Sequence, residues 1–367
     1  MKTDTGGKHT GRKRGILEVL CFILLLSGLF SYYYYASAVR GKYEPRTKRT
    51  ETNREAVTYR SEKRMKLAMA MRFPYLTGLI RNTYVVPGMK ATRTLMGEFR
   101  APTMCTSMTP QGMCVTEDYI FISAYCHSLK HNSVFYMIDR GSGELIKTLP
   151  LAGQAHVGGM AYDPVNRNVW VSGGNSGNAK AIAYRIEDLE AYDEESNYPV
   201  EAVHNYTLAT MTDNSYMNYA ENMLIAGIFK RTGRSEISWF GLTEEGGLYT
   251  QIFEDYDPVY ETVAADYVAA TSGEIQGVSQ NRDYLLLSKS YGPFDSELQI
   301  YEYDIARVRY IDKEAKKKYR FPQKLEQICE YDGKLYCLFE SQAYAYRAQP
   351  FLAVDRILVF DIKDLTD

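Results

Sequence analysis

One pattern of hydrophobic and polar positions recurs about every 45 to 65 residues after Ala101. Each copy opens with a polar residue, usually Gln or His, and continues as a hydrophobic strand, a short turn and a second hydrophobic strand. These strands are rich in Val, Ile, Tyr and Phe, which favours sheet over helix. The copies span residues 109–125, 155–174, 217–229, 274–292 and 324–341.

Further strands follow each copy, so most repeats contain the four antiparallel strands of a propeller blade. The pattern predicts an all-β fold, a five-bladed β-propeller, with six blades if residues 85–108 contribute more than one strand. The last repeat has only three strands before Asp367, and an incomplete ring would leave strand edges unpaired. We expect a strand from residues 85–100 to complete the last blade and close the ring.

The segment ahead of the repeats predicts a membrane anchor. Residues 1–14 form a basic head, and residues 15–38 form an apolar stretch that exceeds the roughly 20 residues needed to span a bilayer. The positive head should stay in the cytoplasm, which places the rest of the chain outside. A cleaved signal peptide is the alternative, because residues 36–38 (ASA) fit a cleavage site.

The remaining chain divides at residue 85 in this interpretation. Residues 39–84 are largely charged and poor in large aliphatic side chains, which is typical of a stalk or linker, and residues 85–367 form the predicted propeller domain. The formal net charge of −2 gives no electrostatic reason to expect a nucleic acid partner. The membrane is therefore the one partner that the sequence itself indicates.

The cysteines leave their pairing open. Five follow the apolar segment, and an odd number leaves at least one free thiol if every bridge is within the chain. Cys329 and Cys337 would face each other across a hairpin with a three-residue loop but would be out of register with a two-residue loop. The spacing of Cys and His matches no zinc motif, so we expect neither a metal nor a cofactor. The five are Cys105, Cys114, Cys126, Cys329 and Cys337.

A radial fold also predicts where a binding site lies. In a four-stranded blade, the start of the inner strand and the loop after the second strand share one face of the disc. The residues that open the inner strands should therefore converge on the axis: Gln111, His156, Asn222, Gln276 and Gln327. Around them we expect Tyr125, Tyr291, Tyr344 and Arg347, with further Lys and Arg on the rim.

Side chains of these types suggest the chemistry of a ligand. Amides and aromatic faces suit sugars or peptides, and a basic rim suits an anionic substituent. The alternative is a channel filled with ordered water that the polar strand ends hold in place.

His156 is the candidate for acid–base chemistry. It is the only His among the five strand starts, and it precedes Gly158 and Gly159, which allow close approach of the backbone. A general base needs a partner, and Glu340 at the end of a second strand is the candidate. The alternative is a structural His that is hydrogen-bonded to neighbouring backbone.

The blade starts PQG, HVGG and IQG and the strand ends IYEYD and ILVFDI resemble those of membrane-anchored or secreted bacterial β-propeller proteins. That broad class includes lactonase-like and quinoprotein-like repeats, and the resemblance covers residues 101–367. Residues 109–112 (TPQG) also resemble the start of the first blade in plant-type glutaminyl cyclases, which are five-bladed enzymes. The acidic motif that follows in that family is replaced here by residues 122–125 (ISAY), so this second resemblance implies an architecture and not the cyclase reaction.

Three hypotheses of function follow. The first is an extracytoplasmic, single-pass propeller that binds a polar or anionic cell-envelope ligand, such as a glycan or peptide, or a partner protein, at its mouth. The second is a propeller enzyme of hydrolase, lyase or cyclase type that uses His156 with Glu340. The third is an envelope scaffold that contacts other proteins through its sides and holds no ligand in the channel.

Overall fold

The computed structural model describes residues 7–43, 58–96, 101–175, 177–253 and 260–367. The chain divides into two compact units, residues 1–44 and 45–367. Parts of the predicted head and stalk, residues 1–6 and 44–57, lie outside the described residues.

The first unit is dominated by one long helix, α1 (Gly7–Tyr43). Its segment Gly15–Tyr33 has 19 residues with a mean hydropathy of 2.0, which is long and apolar enough to cross a membrane. A signal sequence near the N-terminus has the same properties. The helix is thus compatible with both of the alternatives that the sequence left open.

The second unit begins with short elements ahead of the repeats. They are α2 (Glu62–Ala70), α3 (Pro74–Leu79), β1 (Ile80–Val85), β2 (Thr92–Met96) and β3 (Ala101–Cys105). Strands β2 and β3 pair as an antiparallel hairpin.

Five sheets follow, and together they make the predicted five-bladed propeller. Blade 1 contains β4 (Met108–Val115), β5 (Tyr119–Cys126), β6 (Val134–Asp139) and β7 (Leu145–Pro150). Blade 2 contains β8 (Met160–Asp163), β9 (Asn168–Asn175), β10 (Asn178–Arg185) and β11 (His204–Thr207), with the short helix α4 (Ile186–Ala191) after β10.

The third blade has an extra pair of strands beside it. It contains β12 (Tyr216–Ala220), β13 (Met223–Gly227), β14 (Arg234–Gly241) and β17 (Tyr267–Ser272), and β15 (Gln251–Phe253) and β16 (Tyr260–Thr262) form a separate hairpin. Blade 4 contains β18 (Ile275–Gln280), β19 (Tyr284–Lys289), β20 (Ser296–Glu302) and β22 (Lys317–Phe321), while β21 (Arg309–Tyr310) pairs in parallel with β17 of blade 3. Blade 5 contains β23 (Leu325–Tyr331), β24 (Lys334–Phe339), β25 (Arg356–Asp361) and β1, and the helix α5 (Ile362–Thr366) follows.

The ring closes by pairing the first strand of the second unit with the last. Strand β1 runs antiparallel to β25, with Thr83 opposite Leu358, and so supplies the fourth strand of blade 5. The prediction that a segment before Ala101 completes the ring is confirmed. The strand that does so, β1, ends at Val85, whereas residues 85–100 were expected to supply it. Pro87 lacks a backbone N–H group and lies two residues after the end of this strand, which disfavours its continuation.

Residues 58–84, which the sequence assigned to the stalk, pack on the propeller. Met65 and Met69 lie one helical turn apart on α2 and are fully buried in the same apolar cluster as core residues of blades 4 and 5. The carboxylate of Asp355 accepts a hydrogen bond from the backbone N–H of Thr58 at 2.9 Å. The boundary predicted at residue 85 is therefore too late, because two buried methionines suffice to dock an otherwise charged helix.

Blade 3 corrects the predicted order of its strands. The segment after Asn222 was expected to be the inner strand, but it forms the second strand, β13, and the inner strand is β12. Asn222 lies in the turn between them with a φ of 60°. The error arose because β12 carries polar as well as apolar residues and lacks the glycine that marks most other inner strands.

The hairpin in blade 5 separates its two cysteines. Tyr331 pairs with Lys334, which leaves a two-residue turn, and Cys337 faces Ile328 instead of Cys329. Both cysteines carry free thiols. The out-of-register alternative is therefore the one that the structure adopts.

Inner strands of neighbouring blades approach closely where the repeats carry glycine. A Cβ atom on Gly159 would lie 2.2 Å from the backbone nitrogen of Met217, and one on Gly277 would lie 2.8 Å from the backbone oxygen of Glu326. Both distances are shorter than a real Cβ contact. The glycines of the HVGG and IQG motifs thus allow the blades to meet around the axis.

Candidate functional site

A cavity of about 260 Å³, which we call the mouth cavity, opens at the axis of the propeller. Each blade contributes one polar side chain from the beginning of its inner strand or from the residues just before it. From blade 1 to blade 5 these are Gln111, His156, Ser215, Gln276 and Glu326. The lining also includes Tyr125, Phe229, Ser290, Tyr291, Lys324, Glu340 and Tyr346. The structure therefore brings Gln111, His156 and Gln276 together, as the radial argument predicts.

Asn222 does not belong to this group. It lies at the far end of β12 from the mouth cavity, and its side-chain amide donates a hydrogen bond to the backbone oxygen of Leu242 at 3.1 Å. Ser215, directly before β12, takes the expected place. The displacement follows from the changed strand order in blade 3.

Gln327 lies beneath the mouth cavity and does not line it. Its side chain is fully buried, and its Nε2 donates to the backbone oxygen of Met217 at 2.7 Å. Met217 belongs to blade 3 and Gln327 to blade 5, which are not neighbours, so this bond crosses the axis and forms a floor. A bulge in β23 between Leu325 and Ile328 shifts the register, and Glu326 faces the cavity instead.

Two carboxyl groups lie close together at the blade 5 side of the mouth cavity. Glu326 is 4% exposed and Glu340 is 6% exposed. Glu340 forms an ion pair with Lys324, with Nζ and Oε1 3.2 Å apart, and accepts a hydrogen bond from Gln111 Nε2 at 3.0 Å. Glu326 accepts a hydrogen bond from Gln276 Nε2 at 3.3 Å. Five side chains from three blades thus form one connected network.

This network fixes the charge of the site. Burial, followed by the negative charge of Glu340, raises the pKa of Glu326 well above its ordinary value. Burial also raises the pKa of Glu340, although Lys324 and the hydrogen bond from Gln111 oppose that shift. The raised pKa values of these neighbouring carboxyl groups favour retention of a proton by the pair, and Lys324 offsets the charge of Glu340 when it is ionised. The site is therefore less acidic than its two carboxyl groups suggest.

Aromatic rings form another part of the cavity wall. The ring of Tyr125 lies 4.3 Å from that of His156, and its hydroxyl is 3.1 Å from Nδ1 of His127. The ring of His127 meets that of Tyr346 edge-on at 5.4 Å. Lys324 Nζ lies 4.2 Å from the centre of the Tyr346 ring, which joins this wall to the carboxyl network by a cation–π contact.

His156 is a neutral imidazole in this setting. Its surface is open to the cavity, yet protein surrounds it, and this desolvation together with the charge of His127 lowers the pKa of His156 to about 4. Among the described residues, no hydrogen bond joins His156 to Glu340, whose partners are Lys324, Gln111 and Glu326. The base–carboxylate pair expected from the sequence is therefore not formed.

A second cavity of about 620 Å³, which we call the side groove, adjoins the mouth cavity between blades 1, 2 and 3. Leu129, from the loop after the second strand of blade 1, and Gly174, near the end of the second strand of blade 2, line it. His156 and Ser215 line both cavities. The position of Leu129 agrees with the expectation that the loop after the second strand rims the mouth, and the side groove extends the accessible surface outward from the axis.

The predicted rim residues divide into two groups. Tyr125 and Tyr291 line the mouth cavity, and the guanidinium carbon of Arg231 lies 5.1 Å from the centre of the Tyr291 ring. Tyr344 and Arg347 lie outside the lining. Arg347 is buried and donates from Nη2 to the backbone oxygen of Met89 at 2.8 Å. Its role in the structure is to hold the segment after β1, so it offers no charge to a ligand at the mouth.

Sequence reasoning missed several residues of the lining, and three of them are polar residues beside the inner strands. Ser215, Glu326 and Lys324 lie next to strand starts. The β-bulge in β23 prevented the prediction of Lys324 and Glu326, and the misassigned inner strand of blade 3 prevented that of Ser215. For Glu326, the signal was its position directly beside the predicted Gln327. No comparable signal marks Ser215.

One further group of ligand-type side chains lies outside this lining. Within the described residues, Cys105, Cys126 and His131 place one ligand atom each within 4.8 Å of one another. They come from two strands and a loop, so no short spacing in the sequence reveals them.

Comparison with known proteins adds little. No protein-family model matches the chain, and no curated protein matches it. Solved structures do match in part. One is a hydrazine synthase chain of Kuenenia stuttgartiensis, at 11% identity and a TM-score of 0.36, with 62% of this chain and 55% of that chain covered.

Two further structures are similar at the same level. A chain of a nidogen/laminin complex has 11% identity and a TM-score of 0.35, with 68% of this chain and 84% of that chain covered. A putative 6-phosphogluconolactonase of Bacteroides uniformis has 10% identity and a TM-score of 0.36, with coverages of 61% and 62%. This chain spans only about half the length of the hydrazine synthase chain. Scores this low carry no argument, and the assignment as a five-bladed propeller is based on the order of its own sheets.

Proposed function

We propose that this protein is a membrane-anchored, extracytoplasmic β-propeller that binds an uncharged polar ligand at the mouth cavity, and that sugars of the cell envelope are its ligand class. The observation that carries the proposal is the convergence of one polar side chain from each of five blades on a single cavity. A structural role for these groups alone would not require a cavity that opens into a side groove.

The chemistry of the lining favours a sugar. The amides of Gln111 and Gln276 and the hydroxyl of Ser215 offer both donors and acceptors, as the hydroxyl groups of a sugar require. The rings of Tyr125 and Tyr346 supply flat apolar faces beside them. The cavity is small for a ligand site, since such pockets typically hold about 300 to 1,000 Å³, but the side groove enlarges the space for a longer ligand.

The charge of the site argues against an anionic ligand. An anion in the mouth cavity would meet Glu340, and the positive charge of Lys324 is already used to balance that carboxylate. Arg347, which the sequence placed on a basic rim, is buried and bonded elsewhere. We therefore favour a neutral ligand over the anionic one that the sequence also allowed.

The location outside the cell is supported by the N-terminal segment. The apolar helix and the basic residues before it favour an anchor with its N-terminus in the cytoplasm. Protease treatment of intact cells should digest the propeller if this orientation holds. Protection of the propeller would contradict it.

The binding proposal is tested by calorimetric titration with matched ligands. The probes are neutral mono- and disaccharides, the corresponding uronic acids and sugar phosphates, and short peptides. We expect a neutral saccharide to bind, and we expect Gln276→Ala and His156→Ala each to weaken it by tenfold or more, which is about 1.4 kcal/mol. Affinity should change little with salt because no net charge is involved.

Gln251→Ala is the matched control, since Gln251 is exposed on β15 and does not line the mouth cavity. It should bind as the unaltered protein does. Unchanged affinity in both mouth variants would overturn the proposal, and so would a preference for anionic sugars that weakens with salt.

A second candidate function is acid–base catalysis in the same cavity, and the buried carboxyl pair favours it. Protonated Glu326 could donate a proton to a bound substrate, and neutral His156 could accept one. Glu326→Gln keeps the hydrogen bonds but cannot donate a proton in this way. Loss of turnover with nearly unchanged ligand affinity in this variant would identify an enzyme, whereas a binding protein would show no turnover in either form.

A further inference from the structure

Three side chains with soft ligand atoms meet beside the mouth of the propeller. Cys105 ends β3, Cys126 ends β5, and His131 lies in the loop that follows β5. Their ligand atoms all lie within 4.8 Å of one another, and Cys126 Sγ is 3.2 Å from His131 Nδ1. Both cysteines are buried, and neither forms a disulfide.

The geometry suits a small thiophilic cation. Zinc binds thiolate sulfur at about 2.3 Å and imidazole nitrogen at about 2.0 Å in a tetrahedron, so its ligand atoms stand roughly 3.3 to 3.8 Å apart. Cys126 Sγ and His131 Nδ1 are 3.2 Å apart, and the other separations are at most 4.8 Å, so shifts of about 1 Å would bring the three ligand atoms to these spacings. Three protein ligands leave a fourth position for water, and Ser128 Oγ lies 3.1 Å from Cys126 Sγ beside it.

Surrounding hydrogen bonds hold the three ligands in place. The backbone N–H of Ser107 donates to Cys105 Sγ at 3.4 Å. The far end of the His131 loop is fixed to β2, because the Asn132 N–H donates to the backbone oxygen of Leu95 at 2.9 Å and Thr94 Oγ1 donates to the backbone oxygen of Asn132 at 2.8 Å. The ligands therefore belong to segments that are already docked to each other.

We propose that Cys105, Cys126 and His131 form a zinc site that ties the β2–β3 hairpin to the loop after β5. This site does not depend on the ligand proposed for the mouth cavity. It borders that cavity through His127, which follows Cys126 and contacts Tyr125 and Tyr346. Bound zinc would hold one edge of the mouth in position.

The test uses the full chain in detergent, kept reduced with a phosphine and stripped of metal with a chelator. Zinc is titrated in competition with a chromophoric chelator, and cobalt(II) serves as a spectroscopic probe. We expect one zinc per chain, and we expect the cobalt form to show a thiolate-to-metal charge-transfer band. Cys126→Ser and His131→Asn should each weaken zinc binding by tenfold or more.

Cys21→Ser is the control, because Cys21 lies in the apolar helix and far in sequence from the site. It should bind zinc as the unaltered protein does. If Cys126→Ser fails to fold, His131→Asn decides, since His131 is only partly buried in a loop.

Three results would overturn the proposal. The reduced protein could fail to bind zinc, or His131→Asn could bind it as tightly as the unaltered protein. The third is a disulfide between Cys105 and Cys126 in protein isolated without reductant. After denaturation that protein would show four reactive thiols instead of six.

Discussion

The paired carboxyl groups of the mouth cavity show how single residues set the properties of this site. Glu326 and Glu340 cannot both be ionised at low cost when they are buried side by side, so the pair keeps a proton. Lys324 neutralises the charge that remains. The cavity therefore carries less negative charge than its residue types suggest, which favours a ligand that is recognised by hydrogen bonding.

The raised pKa of Glu326 predicts a specific dependence of stability on pH. Its pKa is higher in the folded protein than in the unfolded chain, so its stabilising contribution is complete below about pH 4.5 and is lost as pH rises through the folded value. Glu326→Gln should remove this loss. We expect the variant to match the unaltered protein near pH 4 and to be more stable at pH 8 by about 1 kcal/mol or more. At pH 8 the unfolded chain carries this carboxyl group ionised, so folding of the unaltered protein must either restore the proton or bury the charge, and the variant avoids both costs.

Thermal unfolding measured between pH 4 and pH 8 checks this prediction. Glu245→Gln, at an exposed position, should shift the melting temperature by the same small amount at every pH. A stability gap for Glu326→Gln that stays constant with pH, or closes as pH rises, would mean that Glu326 is already ionised in the folded protein.

At the scale of elements, the glycines at the inner strands decide whether neighbouring blades can meet. The backbone nitrogen of Met217 occupies the space that a Cβ on Gly159 would need, and that nitrogen belongs to the buried strand β12, which is paired with β13. These glycines are therefore packing requirements of the fold, in addition to being marks of the repeat.

Gly159→Ala should destabilise the propeller by about 3 kcal/mol or more, because the added methyl group overlaps backbone of the next blade. Chemical denaturation of the purified protein measures this loss. Gly78→Ala in α3 is the matched control, since nothing lies within 4 Å of its added Cβ. It should leave stability unchanged or raise it by up to about 1 kcal/mol. Equal behaviour of the two variants would contradict the packing argument.

The sequence was sufficient for the elements that repeat regularly and insufficient for those that depart from the repeat. Gln111, His156 and Gln276 were located correctly because glycine or a clear turn marks their strand starts. Asn222 failed because β12 is a weakly patterned strand, and Gln327 failed because a β-bulge moves alternate side chains to the other face. The contact between α2 and the propeller depends on tertiary packing, which no local pattern records.

For the molecule as a whole, closure of the ring depends on β1. Among the strands that the structure describes, β1 pairs with β25 alone, and residues of helix α2 belong to the same apolar cluster as the core of blade 5. Residues 58–85 are thus part of the folded domain although they precede the first repeat.

Truncation tests this dependence. A chain that starts at residue 58 should fold with a cooperative thermal transition, whereas a chain that starts at residue 86 lacks β1 and should aggregate or lose its cooperative transition. Circular dichroism melting and size-exclusion chromatography distinguish these outcomes. A stable monomer from the shorter chain would show that blade 5 tolerates an open edge.

The pairing of β1 with β25 also has a consequence for how the polypeptide is made. The ribosome releases β1 early and β25 about 270 residues later, so four blades can assemble on the nascent chain before the fifth is complete. Until β25 has been synthesised, β1 lacks this partner and must be kept from pairing with other chains. If export threads the chain across a membrane during synthesis, β1 and β25 would pair only on the far side, after β25 has emerged.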